Sequence, residues 1–315
     1  MSSGTSGIRY LAQTGVQPHE PELDPPFDVM EPPALNSPLV FSSPHSGCVY
    51  PQRFLASARL DSMTLRRSED AYVDELFAGV VACGAPLVRA RFPRAYLDLN
   101  REPYELDPRM FEGRLPAFAN TRSVRVAGGL GTIARVVGDS QEIYAHRLKV
   151  DEALARIDKL YKPYHRALQV LLGRARQAFG LAVLVDCHSM PSVSTLPLPE
   201  SADRKIKADF VLGDRYGTSC ATEFIDCVEY ELRGLGYTVL RNKPYAGGFI
   251  TEHYGDPANN FHAMQIEMNR SLYMDERSMA KAERFDRIAC DLSKLGEKLA
   301  RRLAERYGDE RIAAE

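Results

Sequence analysis

Hydrophobic positions along the chain change their period several times, and each change predicts an element. From Pro38, PLVFSSPHSG reads as a short strand running into a loop. Between Asp70 and Cys83, the residues Tyr72, Val73, Leu76, Phe77, Val80 and Val81 recur at helical spacing, and Gly84 closes the run. APLVRARFPRAYLDLNREP predicts a strand, a turn and a second strand. Glu142 to Phe179 carries apolar residues every three or four positions and predicts a long helix, bent near Pro163. LAVLVD at 181–186 is apolar without interruption, the mark of a strand buried on both faces. ADFVLGD at 208–214, YTVLRN and AMQIEMN predict further strands. A helix through Phe224, Val228 and Leu232 should stop at Gly234 and Gly236, and a last helix repeats Phe285, Ile288, Leu292, Leu295, Leu299 and Leu303. Alternating strands and helices predict an α/β protein, a three-layer α/β/α sandwich with a mixed, mostly parallel sheet. Residues 37–315 read as a single domain without repeats or linkers. Residues 1–36, which hold six of the seven prolines found from Pro18 to Pro38, read as a Pro-rich N-terminal arm, neither helix nor central strand.

Composition narrows the function. Of 315 residues, 44% are hydrophobic and 26% charged, ample for a core. Forty basic against forty-two acidic residues give a net charge of −2, which argues against a nucleic-acid partner. No apolar run of ~18 residues predicts a membrane span, and no basic start with an apolar stretch behind it suggests a secretory leader. Six scattered cysteines without a CxxC pair speak against a disulfide framework or a cysteine-rich zinc knuckle. The expected setting is the cytoplasm.

Ligands of open α/β sheets collect at the carboxyl ends of strands, and several ionisable side chains fall there. His45 follows LVFSSP, Asp186 and His188 end LAVLVD, Asn100 and Arg101 follow AYLDL, and Glu267 lies within AMQIEMN. Both histidines precede Ser and a breaker. Two histidines plus a carboxylate form the ligand set of catalytic zinc, with a fourth position left for water. Ser68-Glu69-Asp70 brings carboxylates nearby, though at a helix start they suit capping and the helix dipole equally well. Gly128-Gly129-Leu130-Gly131 lacks the residues of a phosphate loop and reads as a flexible turn, after which Arg135 could close over a substrate. Cys187 should point away from His188, into the core. No GxSxG elbow is present.

Together these segments resemble the N-formylglutamate amidohydrolase family. The resemblance rests on SSPHSG at 42–47, EDAYVDELF at 69–77, PRAYLDLNREP at 93–103, YKPYHRAL at 161–168, DCHSMPS at 186–192, NKPYAGGFITEHYG at 242–255 and MQIEMNRSLYMDE at 264–276. It implies a fold similar to zinc carboxypeptidases and aspartoacylases, and one zinc per chain. By that resemblance the ligands are His45, His188 and Asp70, the aspartate preceding Tyr72-Val73-Asp74, with Glu69 as the fallback. Glu267 is implied as general base; a buried salt bridge with Arg270 is its alternative role. Arg94, Asn100, Arg101, Arg135 and His253 are the candidates for substrate binding, and Asp186 for orienting His188. The implied reaction is hydrolysis of the N-formyl amide of a small acidic amino acid, N-formyl-L-glutamate to glutamate and formate. The rival readings are a zinc peptidase or deacylase for another N-acyl amino acid or peptide, and a non-catalytic binding protein on the same fold.

Overall fold

Alternation along the strands, two residues per repeat, sorts their side chains onto two apolar faces, and each face is covered by helices. The computed structural model describes residue 21 and residues 23–138, 140–194 and 208–312. Within these, the main sheet has seven strands: β1 (Phe27–Met30), β2 (Leu39–Ser43), β3 (Leu87–Ala90), β4 (Ala182–Met190), β5 (Phe210–Gly213), β6 (Val239–Arg241) and β7 (Phe261–Asn269). Their order is β1-β3-β2-β4-β7-β5-β6. The pairs β1/β3 and β7/β5 are antiparallel and the other neighbours are parallel, so the sheet is mixed and mostly parallel, as expected.

On one face Phe41, Val183, Val185, Met264 and Ile266 pack against helices α1 (Val73–Phe77), α3 (Thr222–Gly234) and α4 (Phe285–Ile312). On the other, Val40, Leu184 and Ala263 meet α2 (Lys162–Phe179), whose Tyr164, Leu168, Leu171 and Leu172 form its buried stripe. Burying each such side chain is worth roughly 1.5–3 kcal/mol. This explains why β4 reads as uninterrupted apolar sequence: every one of its residues is buried.

Several boundaries differ from the sequence reading. Phe27–Met30, inside the supposed arm, pairs with β3 as an edge strand, a place that tolerates neighbouring prolines. AYLDLN forms turns and loop instead of a second strand. Glu142 belongs to a two-residue hairpin strand, and the long helix begins only at Val150. The bend expected near Pro163 is a π-type turn at Ile157–Tyr161. The helix from Asp70 shortens to α1 followed by a 3-10 turn over Ala78–Cys83, which Gly84 ends in the left-handed region.

Candidate metal and active site

The parallel ladder between β4 and β7 sets His188 beside Glu267 and Asp186 beside Gln265. Alternation turns all four toward the α2 side of the sheet and sends Cys187 and Ile266 into the opposite core. His45 sits in the turn two residues beyond β2. A Cβ on Gly47 would come within 2.1 Å of the Phe92 carbonyl oxygen, so only glycine lets this turn press onto the neighbouring chain. Asp70 is brought in just before α1, its backbone N–H donating to the His45 carbonyl at 3.0 Å.

His45 Nδ1, Asp70 Oδ2 and His188 Nδ1 converge. Their separations are 3.4 Å between His45 and Asp70 and 3.0 Å between His188 and Asp70, and such donor atoms of the three residues lie within 4.8 Å of one another. Each imidazole is held from behind: Nε2 of His45 donates to Asp98 Oδ1 at 2.7 Å and Nε2 of His188 to Asp186 Oδ2 at 2.7 Å. A carboxylate can only accept, so the hydrogen stays on Nε2 and both Nδ1 atoms face the Asp70 carboxylate. Buried His45 Nδ1 has no hydrogen-bond partner, which is costly for a polar atom unless something binds it. The other Asp70 oxygen accepts from Arg270 Nη2 at 3.0 Å. Burial opposes ionisation of Asp70, yet the hydrogen bond from His188 and the closeness of His45 hold it well below the usual carboxylate range. Burial likewise opposes a charged His188, but Asp186 and Asp70 raise its pKa well above the usual value. Without metal, a proton on His188 Nδ1 therefore satisfies Asp70; a divalent cation would displace it. The donor set, three atoms with neutral-imidazole and carboxylate chemistry, fits zinc with a position left open.

Glu267 accepts from Gln265 Nε2 at 2.8 Å. Its pKa is pushed up to about 7, by burial first, with Asp70 adding to the rise and His188, Arg94 and Arg270 opposing it. That value suits a group that takes and returns a proton near neutrality. The expected alternative partner, Arg270, instead binds Asp70, Ser189 Oγ at 3.2 Å and the Arg67 carbonyl at 3.0 Å. Asn100 Nδ2 donates to Asp186 Oδ2 at 3.3 Å, lies 3.2 Å from His188 Nε2, and its Oδ1 accepts from the Ile250 N–H. Arg94 Nη2 donates to Asp98 Oδ2 at 2.7 Å, and Arg101 Nη2 lies 3.7 Å from the same oxygen.

Three candidates lie outside this network. Glu69 is committed to Arg66, at 3.1 and 3.2 Å, and to the Tyr50 hydroxyl at 2.6 Å, and stands apart from the His45, Asp70 and His188 cluster. Arg135 does not reach over the site: Asp107 Oδ2 at 2.9 Å and Glu142 Oε1 at 3.3 Å take its guanidinium. His253 is exposed and stacks on Phe249, ring centroids 4.9 Å apart. Conversely, sequence reasoning passed over Asp98. Its only signal was its place two residues before Asn100, in a segment read as strand.

The family model for N-formylglutamate amidohydrolase matches residues 37–274. The N-formylglutamate deformylase of Pseudomonas putida is 30% identical over 249 residues, 76% of this chain and 82% of its own length. That of Pseudomonas aeruginosa is 29% identical over 76% of this chain and 84% of its own. A crystal structure of N-formylglutamate amidohydrolase from Ralstonia eutropha JMP134 superposes with a TM-score of 0.82 at 38% identity, covering 89% of this chain and 99% of that one. With strand-end histidines, their carboxylate partners and the fold all in place, the chain belongs to the N-formylglutamate amidohydrolase family, enzymes that hydrolyse an amide.

Proposed function

We propose that this protein is a zinc-dependent N-formylglutamate deformylase, releasing formate and glutamate. The observation that carries the reading is the convergence of His45 Nδ1, Asp70 Oδ2 and His188 Nδ1 beside the buried carboxyl of Glu267. His45, Asp70 and His188 would hold the metal, which when bound supplies a Lewis acid that polarises the formyl carbonyl and acidifies water. Glu267 takes the proton from the attacking water and delivers it to the leaving nitrogen, so the amine departs neutral. Asp98 and Asp186 keep the imidazoles oriented throughout. Arg94 and Arg101 border Asp98 and supply positive charge for the two carboxylates of the substrate. The Pseudomonas relatives, both named N-formylglutamate deformylase, favour the same substrate.

The test is metal analysis of purified protein together with formate release from N-formylglutamate, N-formyl-leucine and other N-formyl amino acids. Near-stoichiometric zinc and strong preference for the acidic substrate are expected, and His188→Ala should lose metal and turnover together. Full zinc and normal turnover in His188→Ala would refute the ligand assignment. Equal rates on the two named substrates would refute the acidic preference.

A further inference from the structure

The helical stretch from Val150 to Phe179 is interrupted at Ile157–Tyr161 by a π-type turn. Pro163 lacks the N–H that would bond to the Lys159 carbonyl, and the extra residue per turn re-aims the side chains at the end of the turn and after it. Two of them reach the loop beside the histidine cluster. The Tyr161 hydroxyl donates to the Arg101 carbonyl at 2.6 Å, and His165 Nε2 donates to the Leu99 carbonyl at 2.9 Å. Both residues are buried, their rings stack with centroids 4.1 Å apart, and His165 Nδ1 meets the Tyr254 hydroxyl at 2.9 Å. The carbonyls they hold alternate with the residues that matter: Asp98, which grips His45, and Asn100, which contacts Asp186 and His188. Asp98 also accepts from the Asn100 N–H at 2.9 Å, which ties the two residues to each other.

We propose that Tyr161 and His165 are positioning residues, which pin the 98–101 loop so that Asp98 and Asn100 aim the two histidines and Arg101 stays at the rim of the site. This rests on the reading of His45 and His188 as metal ligands. A helix turn that touches neither histidine thereby controls metal affinity through His165 and substrate affinity through Tyr161.

The split is testable with three full-length variants, using zinc affinity of the metal-free protein by chelator competition, thermal unfolding, and kinetics on N-formylglutamate. His165→Leu should weaken zinc binding about 10- to 100-fold, the usual cost of losing support behind a ligand. His165→Gln, whose amide can still donate to Leu99, should bind zinc within about threefold of the parent. Tyr161→Phe loses one hydroxyl; it should raise KM about tenfold while kcat and zinc affinity stay within about threefold. Parental zinc affinity in His165→Leu, or equal affinities for the Leu and Gln variants, would overturn the proposal, whatever their melting temperatures. Unchanged KM in Tyr161→Phe would overturn its second half even if His165→Leu fails to fold. A parent protein that binds no zinc removes the reading of the site, and this inference with it.

Discussion

Replacing Glu267 by Gln exchanges a buried carboxyl for an amide of nearly the same shape, and the surroundings of that carboxyl determine the effect. In the fold its pKa is about 7, against an ordinary 4.5. The folded chain therefore keeps this proton up to about pH 7, whereas the unfolded chain releases it near 4.5. Stability is greatest below 4.5, declines as pH rises to about 7, and stays reduced above it. At about 1.4 kcal/mol per pH unit, keeping Glu267 ionised at pH 8 costs the metal-free fold about 3 kcal/mol. Glu267→Gln is exempt, and its amide can still accept from Gln265. In chelator-treated protein the variant should melt about 5 °C above the parent at pH 8, with the difference vanishing near pH 4. The same substitution removes the proton acceptor, so kcat of the zinc-loaded enzyme should fall roughly 100-fold or more. Thermal scans from pH 4 to 8 and formate release measure both effects. A fully active Glu267→Gln enzyme would refute the base assignment, and a pH-independent difference in melting would refute the buried-carboxyl argument.

Asp98→Asn keeps the shape behind His45 but loses the charged acceptor; zinc affinity should drop about 10- to 100-fold by chelator competition. Arg101→Ala should raise KM for N-formylglutamate about 10- to 100-fold and leave N-formyl-leucine nearly unaffected, as compared by steady-state kinetics. His165, with its pKa lowered by burial to about 3, stays neutral in the fold while the unfolded chain protonates near 6.5. Its contribution is complete above pH 6.5 and drains away as pH falls toward 3; denaturant titrations should show a loss of up to roughly 5 kcal/mol, smaller in His165→Gln.

The strands that carry the site were legible because their signals are local. Continuous apolar sequence at 181–185 means burial on both faces, and the polar residues that break it must then lie at the strand end, where His188 is. The same logic found His45 beyond β2 and Glu267 on β7. The rest depends on contacts distant in sequence. AYLDLN looks like a strand because Ala95, Tyr96, Leu97 and Leu99 are buried, but they are buried as a loop lying under the helical stretch, where Arg156 reaches the Tyr96 carbonyl and His165 the Leu99 carbonyl. Misread as strand, the segment hid Asp98. Arg135 follows a glycine turn that looks free to move in the sequence, yet Asp107, 28 residues earlier, claims its guanidinium. Glu142 to Lys149 has helical spacing but lies across from Val136–Val137 and Phe111–Glu112 in short strand pairs.

The nine residue pairs that run from Ala182 beside Phe261 to Met190 beside Asn269 divide the protein's evolutionary freedom. A single inserted residue within either strand would turn His188 or Glu267 toward the opposite core, abolishing the chemistry along with the packing. The loop that carries Arg94 and Arg101 is fixed in length as well, because Asp98, behind His45, and Asn100, beside Asp186, lie inside it. Substrate range can therefore drift by single replacements at Arg94 and Arg101 while Asp98, Asn100 and the hydrolytic machinery are inherited intact, and point substitution within a loop of fixed length is the natural route to a new specificity.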